Sequence, residues 1–191
     1  MQTQTPTGKA MDILYAARML MMDRGFNGFS FRDVAAEVGI KSASIHYHYA
    51  TKADLAAATA RAYREAFGEA VAQIEGDSGG DLLRAYGAFF VTTLREQDRL
   101  CLGGMLAADV ASLPDQVRNE VVAFFNAQSD WVEKTVRDGQ ATGDFRADLD
   151  AAKVAKMFVS SLEGAMMISR GIEQPQDLED ALEVLIQLVQ A

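Results

Sequence analysis

Two short stretches constrain what this chain can become: Ser30-Phe31-Arg32-Asp33 and Thr51-Lys52-Ala53-Asp54. Each places a hydroxyl residue three positions before a carboxylate, so that each side chain can accept from the other's backbone N–H and start a helix. Between them lie two short helical segments, Phe31 to Val38 and Ser42 to about Tyr49, joined by Gly39-Ile40-Lys41. Gly39 stands where a tight turn needs a positive φ, and Ile40 supplies an apolar residue to pack the turn onto a core. Two helices of this length with so short a connection have the proportions of a helix-turn-helix.

The remainder also reads as helix. Alanine occurs 31 times, and it loses no side-chain entropy in a helix. Period-two alternation bounded by turn residues is hard to find. The expected fold class is all-α with about nine helices, their ends uncertain by a few residues. The first runs from about Lys9 to Arg24, with Ile13, Leu14, Ala17 and Leu20 on one stripe, and Gly25 stops it. A long helix runs from Thr51 to about Glu75, and others cover roughly 81–97, 102–112, 114–138, 150–170 and 175–190. Gly76-Asp77-Ser78-Gly79-Gly80 is read as a flexible break, Gly139 to Asp148 as a loop and Gly171 as a stop. Pro6 falls in a polar tail, while Pro114 and Pro175 are read as first-turn residues.

Composition bounds the class of protein. In 191 residues, 49% hydrophobic and 24% charged side chains give a globular chain and exclude disorder as its main state. The one cysteine cannot pair within the chain, which points to a reducing, cytoplasmic setting. No basic-then-apolar leader opens the sequence and no apolar run approaches roughly 18 residues, which argues against secretion and membrane spanning. The net charge of −9, taken whole, speaks against a protein that coats nucleic acid. That charge is unevenly spread. Residues 1–55 carry six cations and five anions, whereas the remainder carries twelve and twenty-two. The acidity belongs to the last two-thirds.

In a helix-turn-helix the second helix lies in the major groove and its first residues reach base edges. Here these are Ser42, Ala43 and Ser44, two hydroxyls and a methyl with nothing bulky to block approach. Ile45 and Tyr49, four apart, are expected to pack inward. His46, Tyr47 and His48 then lie towards the duplex, with tips suited to phosphate oxygens. Lys52 adds a cation in the first turn of the next helix, and Arg32 can reach a guanine edge or a phosphate. The two histidines diverge on the helix and make a poor metal pair. With no phosphate-cradling glycine loop, metal-spaced cluster or nucleophile elbow, neither catalysis nor a cofactor is expected.

The run from Ile13 to Leu55 resembles the DNA-binding domain of the TetR/AcrR family of bacterial transcriptional regulators. The likeness rests on Ala17, Gly25, Phe26, Ser30, Asp33, Val34, Ala35, Gly39, Ile40, Ser44, Tyr47, His48, Tyr49, Lys52 and Leu55 at fixed spacing. Two positions depart from the common pattern. Lys41 stands where many members carry a Ser or Thr cap, so the cap falls to Ser42 or is absent, and His46 replaces a frequent Tyr. The resemblance puts Arg32, Ser42 and Ala43 at base-reading positions. It puts Ser44, His46, Tyr47, His48 and Lys52 at positions that grip phosphates.

It further implies a DNA-binding domain over residues 1–52 and a helical ligand-binding and dimerisation domain over 53–191. In the latter the last two helices would pair with a partner's into a four-helix bundle. Their apolar faces allow this: Val154, Met157, Phe158, Leu162 and Met166 on one, Leu178, Leu182, Leu185, Ile186, Leu188 and Val189 on the other. Candidate pocket residues are Cys101, Met105, Phe125, Gln128, Trp131, Phe158 and Ser161. A Trp with a nearby amide suits a mostly apolar ligand held by few polar groups. Arg95 and Arg99 flank Cys101 and raise the idea of a stabilised, reactive thiolate. The expected function is a ligand-responsive regulator, a repressor that binds a palindromic operator as a homodimer and is released by a small-molecule effector.

Overall fold

Reciprocal caps start the helices that the sequence marks. In the computed structural model, which describes residues 8–191, Ser30 Oγ accepts from the Asp33 N–H at 3.3 Å while Asp33 accepts from the Ser30 N–H at 2.8 Å. Thr51 and Asp54 repeat the exchange at 3.1 and 2.9 Å. The α-helices among the described residues are α1 Lys9–Arg24, α2 Phe31–Val38, α3 Ser42–His48, α4 Lys52–Val71, α5 Gly79–Gln97, α6 Leu102–Ala108, α7 Asp115–Thr142, α8 Ala151–Gly171 and α9 Gln176–Val189. A 3-10 turn, Val110–Ser112, follows α6. Extended pairing among these residues is confined to an isolated bridge between Phe145 and Gln190. The class is all-α, and Pro6 lies outside the described residues.

Several boundaries differ from the sequence reading, each for a local reason. The glycine-rich break is shorter than expected because Ser78 caps α5, accepting from the Asp81 N–H at 3.1 Å. Gly79 is already helical, and its N–H donates to Asp144 at 2.9 Å. Helix α7 runs past Gly139 to Thr142. The chain then turns back, and the N–H groups of Asp144 and Phe145 both donate to the Gly139 carbonyl. The loop read from Gly139 to Asp148 therefore starts after Thr142. The segment at 102–112 ends as a 3-10 turn, and α4 stops at Val71. Pro114 and Pro175 sit one step before α7 and α9, where a missing N–H costs nothing.

The chain forms two compact units, one of residues up to Ala66 with Leu102–Val122, the other of Phe67–Cys101 with Ala123–Ala191. The core of unit one takes Ile13, Ala17, Leu20 and Met21 from α1, Val34 and Ala35 from α2, Ile45 from α3 and Leu55 from α4. Each such Leu or Ile contributes about 1.5–3 kcal/mol by leaving water. The Asp109 carboxylate ties the far segment to the turn after α1. It accepts from the Phe26 N–H at 2.7 Å and from the Asn27 amide at 3.3 Å. Gly25 makes this approach possible. Its φ of 71° and ψ of −177° lie in a region open essentially to glycine alone, and a Cβ there would stand 2.5 Å from Asp109 Oδ2. Buried Glu120, at the start of α7, accepts from Arg61 and Arg64 of α4 at 2.8 and 3.2 Å.

In unit two, Leu83, Tyr86, Phe90 and Leu94 form the inner stripe of α5. Against it stand Val132 and Val136 of α7, Phe158, Leu162 and Met166 of α8, and Leu178, Leu182 and Ile186 of α9. Arg84 and Arg95 pair with Glu183 and Glu179 of α9 at the rim. One charge-bearing side chain stands inside: Glu163, on the inner face of α8 between Val159 and Met166. Burial pushes its carboxyl up to about 7, against the opposite pull of a hydrogen bond from the Cys101 thiol.

Two outcomes follow for stability. Gly25→Ala should destabilise the protein by about 1–3 kcal/mol in chemical denaturation, through backbone strain and loss of the Asp109 contact. For Glu163, the folded chain holds its proton more tightly than the unfolded chain. Its contribution is therefore most favourable below the ordinary carboxylate range, declines as pH rises to about 7, and levels off roughly 3 kcal/mol lower. Glu163→Gln should accordingly match wild type near about pH 5 and melt at a higher temperature near about pH 8. A constant difference between the variants across that range would show that the carboxyl does not titrate as described.

Candidate functional site

The turn between α2 and α3 is built as the sequence reading expects. Gly39 takes φ 70° and ψ 37°, and the Ile40 N–H reaches back to the Ala35 carbonyl at 3.0 Å, closing α2 with a left-handed cap. No side chain caps α3 at Lys41, so the cap displaced by that lysine is absent. Ile45 is fully buried and Tyr49 half-buried, and they anchor the helix. Burial raises the Tyr49 phenol above its ordinary value. Ala43, Ser44, His46, Tyr47 and His48 are exposed and Ser42 half-buried, so α3 presents its first turn and one flank to solvent. Tyr47 is 88% exposed and touches the His48 ring edge-on at 5.2 Å between centroids. Arg32 is exposed near the start of α2.

Two of the expected contact residues have second tasks. The His46 ring packs edge-on against Phe31 of α2, 4.7 Å between centroids. The Lys52 ammonium lies 4.7 and 4.6 Å from the rings of Phe26 and Phe29. Burial lowers its pKa below the usual lysine value, while the Asp109 and Asp33 carboxylates work the other way. Lys52 is thus a structural cation over aromatic faces as well as a charge near α3. Among the residues expected to meet phosphate, Tyr47 has the least packing to lose.

The expected pocket residues fall in both units. Met105 belongs to unit one, where its Cε is 3.8 Å from the space a Cβ on Gly25 would occupy. The other six belong to unit two. Tyr86, absent from the sequence reading, is their hub. Its hydroxyl donates to Gln128 Oε1, its ring stacks on Trp131 at 5.3 Å and 14°, and Phe158 lies 6.3 Å away. Burial raises the Tyr86 phenol well above its ordinary value, with Cys101 and Glu163 adding to the effect. Phe125 and Ser161 are half-buried, and Phe125 packs on Phe124. Cys101 is buried and donates to Glu163. Of the flanking arginines, Arg95 pairs with Glu179, while Arg99 donates through Nη1 to the Gln97 carbonyl at 3.0 Å and keeps its Nε buried without a hydrogen-bond partner. A separate cleft of about 170 Å³, lined by Ser78, Leu82, Thr135 and Asp138 among others, includes none of the seven expected residues.

Glu163 was legible as a carboxylate on an apolar stripe, four residues after Val159 and three before Met166. Asp109 carried no such local signal.

The comparisons with known proteins agree with this geometry. Residues 13–59 match the family model described as bacterial regulatory proteins, tetR family, and residues 79–185 match that of the tetracyclin repressor-like C-terminal domain. A TetR family transcriptional regulator of Agrobacterium tumefaciens superposes with a TM-score of 0.92 at 30% identity, covering 96% of this chain and 98% of that one. A TetR regulator of Legionella pneumophila gives 0.87 at 27%, covering 98% and 100%. The HTH-type transcriptional repressor DhaR of Mycobacterium sp. strain GP1 is 21% identical over 169 residues, 88% of this chain and 85% of its own length. No helix among the described residues is long and apolar enough to cross a membrane. The chain belongs to the TetR family of bacterial transcriptional regulators: it is a DNA-binding regulator and not an enzyme.

Proposed function

We propose that this protein is a repressor that binds a palindromic operator as a homodimer and leaves it when a small-molecule effector binds. The observation that carries the reading is the surface of α3. A short helix anchored by Ile45 leaves Ser42, Ala43, Ser44, Tyr47 and His48 along the side away from the core. Small hydroxyls at the first turn suit base edges, and the Tyr47 and His48 tips suit phosphates on the flank. Arg32, His46 and Lys52 complete the contact set, residues 1–52 form the reading part, and 53–191 serve effector binding and dimerisation. Repression is supported by relatives such as DhaR, which is named a repressor.

Dimerisation is assigned to α8 and α9. After their inner stripes are buried, Met157, Met167 and Ile168 of α8 and Val184 and Leu188 of α9 remain exposed, Ile168 at 64%. Such apolar surface on two adjacent, mutually packed helices is what a four-helix interface with a second copy would cover. A dimer places two α3 helices on one face of the duplex if they stand about 34–36 Å apart. An effector that binds better to a conformer with a different spacing lowers operator affinity by the same differential. Helix α4, which starts at Lys52 and continues to Val71, offers a lever for that change. The effector site proposed is the group around Trp131, Gln128, Phe158, Ser161, Phe125 and Cys101, with Met105 as a further candidate.

Gel shifts against the DNA upstream of its own gene should show a retarded complex that candidate effectors dissolve. Tyr47→Ala should weaken binding by a similar factor on every bound sequence. Arg32→Ala or Ser42→Ala should relax discrimination, by about 1–3 kcal/mol at the affected base pair. Unchanged affinity for Tyr47→Ala would remove α3 from the role assigned to it. Ile168→Glu combined with Leu188→Glu should sediment as a monomer and lose the palindrome-dependent complex. A stable dimer of that variant would move the interface elsewhere.

A further inference from the structure

Unit two keeps three buried polar atoms without hydrogen-bond partners: Nε of Arg99, Nε2 of Gln128 and Oε1 of Glu163. Gln128 of α7 and Glu163 of α8 are 2% and 9% exposed, and both act on Tyr86. Gln128 accepts from the Tyr86 hydroxyl, while Glu163 receives the Cys101 thiol and acts on Tyr86. Buried polar groups in native proteins are nearly always satisfied, and an orphaned amide or carboxyl is costly. Two orphans in one cluster call for an occupant that is not part of the chain.

The chemistry of the cluster narrows that occupant. What acts on the Glu163 carboxyl is apolar packing and the Cys101 thiol, with no basic side chain among the causes. The same cluster contains ring faces: Tyr86, Trp131 stacked upon it, and Phe158. Ring faces carry negative potential. A carboxyl in such a cluster repels an anion and favours a cation, through direct pairing and through the rings. Trp131 and Ser161 are only half-buried, so the cluster reaches the surface of the unit on their side.

We propose that the effector is a small organic cation, a protonated amine on an apolar body, which pairs with Glu163 and lays its body against Trp131 and Phe158. A second polar atom on the ligand accepts from Gln128 Nε2. The proposal rests on the reading that unit two takes a small-molecule effector. Burial without a counter-charge holds the carboxyl at about 7, poised between neutral and ionised. An arriving cation supplies the missing charge and draws it into the ionised form.

The experiment uses the full-length protein and three probes of matched size: phenethylamine, phenethyl alcohol and phenylacetate. Binding is followed by the fluorescence of Trp131, the chain's one tryptophan. Phenethylamine should bind about tenfold or more tighter than the alcohol, as a charge-assisted contact requires, with phenylacetate weakest. Glu163→Gln should keep the affinity for the alcohol and lose the preference for the amine. The wild-type series decides the matter by itself if that variant fails to fold. Equal or tighter binding of the alcohol or of phenylacetate overturns the cation and leaves a small-molecule site standing. A preference for the amine that survives in Glu163→Gln overturns the assignment to this carboxyl. Silence with all three probes overturns the proposal as well. The wider effector reading falls separately, if no compound dissolves the operator complex.

Discussion

A single carboxylate holds the DNA-reading unit together across most of its sequence separation. Asp109, from the 3-10 segment after α6, accepts from the backbone of Phe26 in the turn after α1. A charge-assisted bond to a backbone N–H is stronger than a neutral one, by about 1.5–3 kcal/mol against about 1. Other features depend on that contact. Gly25 must be glycine because the carboxylate occupies the place of a Cβ. Asn27 is held by the same carboxylate and by Ser112 at 2.8 Å. Phe26 and Phe29 form the floor on which the Lys52 ammonium rests, in the field of Asp109 itself. Helix α3, by contrast, is anchored by little more than Ile45 and Tyr49. That leaves its outer side chains, His46 on Phe31 excepted, free of structural duty, as a reading surface needs to be.

Unit two solves a different problem. Its helices bury a core of Leu, Ile, Phe and Met, yet it retains Tyr86, Gln128, Cys101 and Glu163 there. Each carries a desolvation cost, and two atoms recover nothing within the chain. Stability forgone in a well-packed interior is a mark of a site.

The charge balance acquires a meaning from this division. A net of −9 describes an average over segments of different character. The first 55 residues are nearly neutral, with all six of their cations and both histidines on or next to the helices of the reading unit. The acidity of the rest opposes indiscriminate attraction to phosphate and leaves affinity dependent on the matching sequence.

What the residues determined alone was local in origin. The caps at Ser30 and Thr51, the left-handed turn at Gly39, the inner stripes of α1, α5, α8 and α9 and the outward face of α3 all arise from contacts within about four positions along a helix. Periodicity records these directly, and the family motif lies in this part of the chain. The third cap, at Ser78, obeyed the same rule and was hidden only by its glycine neighbours. The partners of buried polar groups are another matter. The hold of Asp109 on a residue 83 positions away, the Tyr86–Gln128 bond across 42, and the rings beneath Lys52 were decided by helix packing. A side chain's own sequence neighbours cannot tell whether its charge ends in water or in a core. Only the assembled helices set the burial that raises the Glu163 carboxyl.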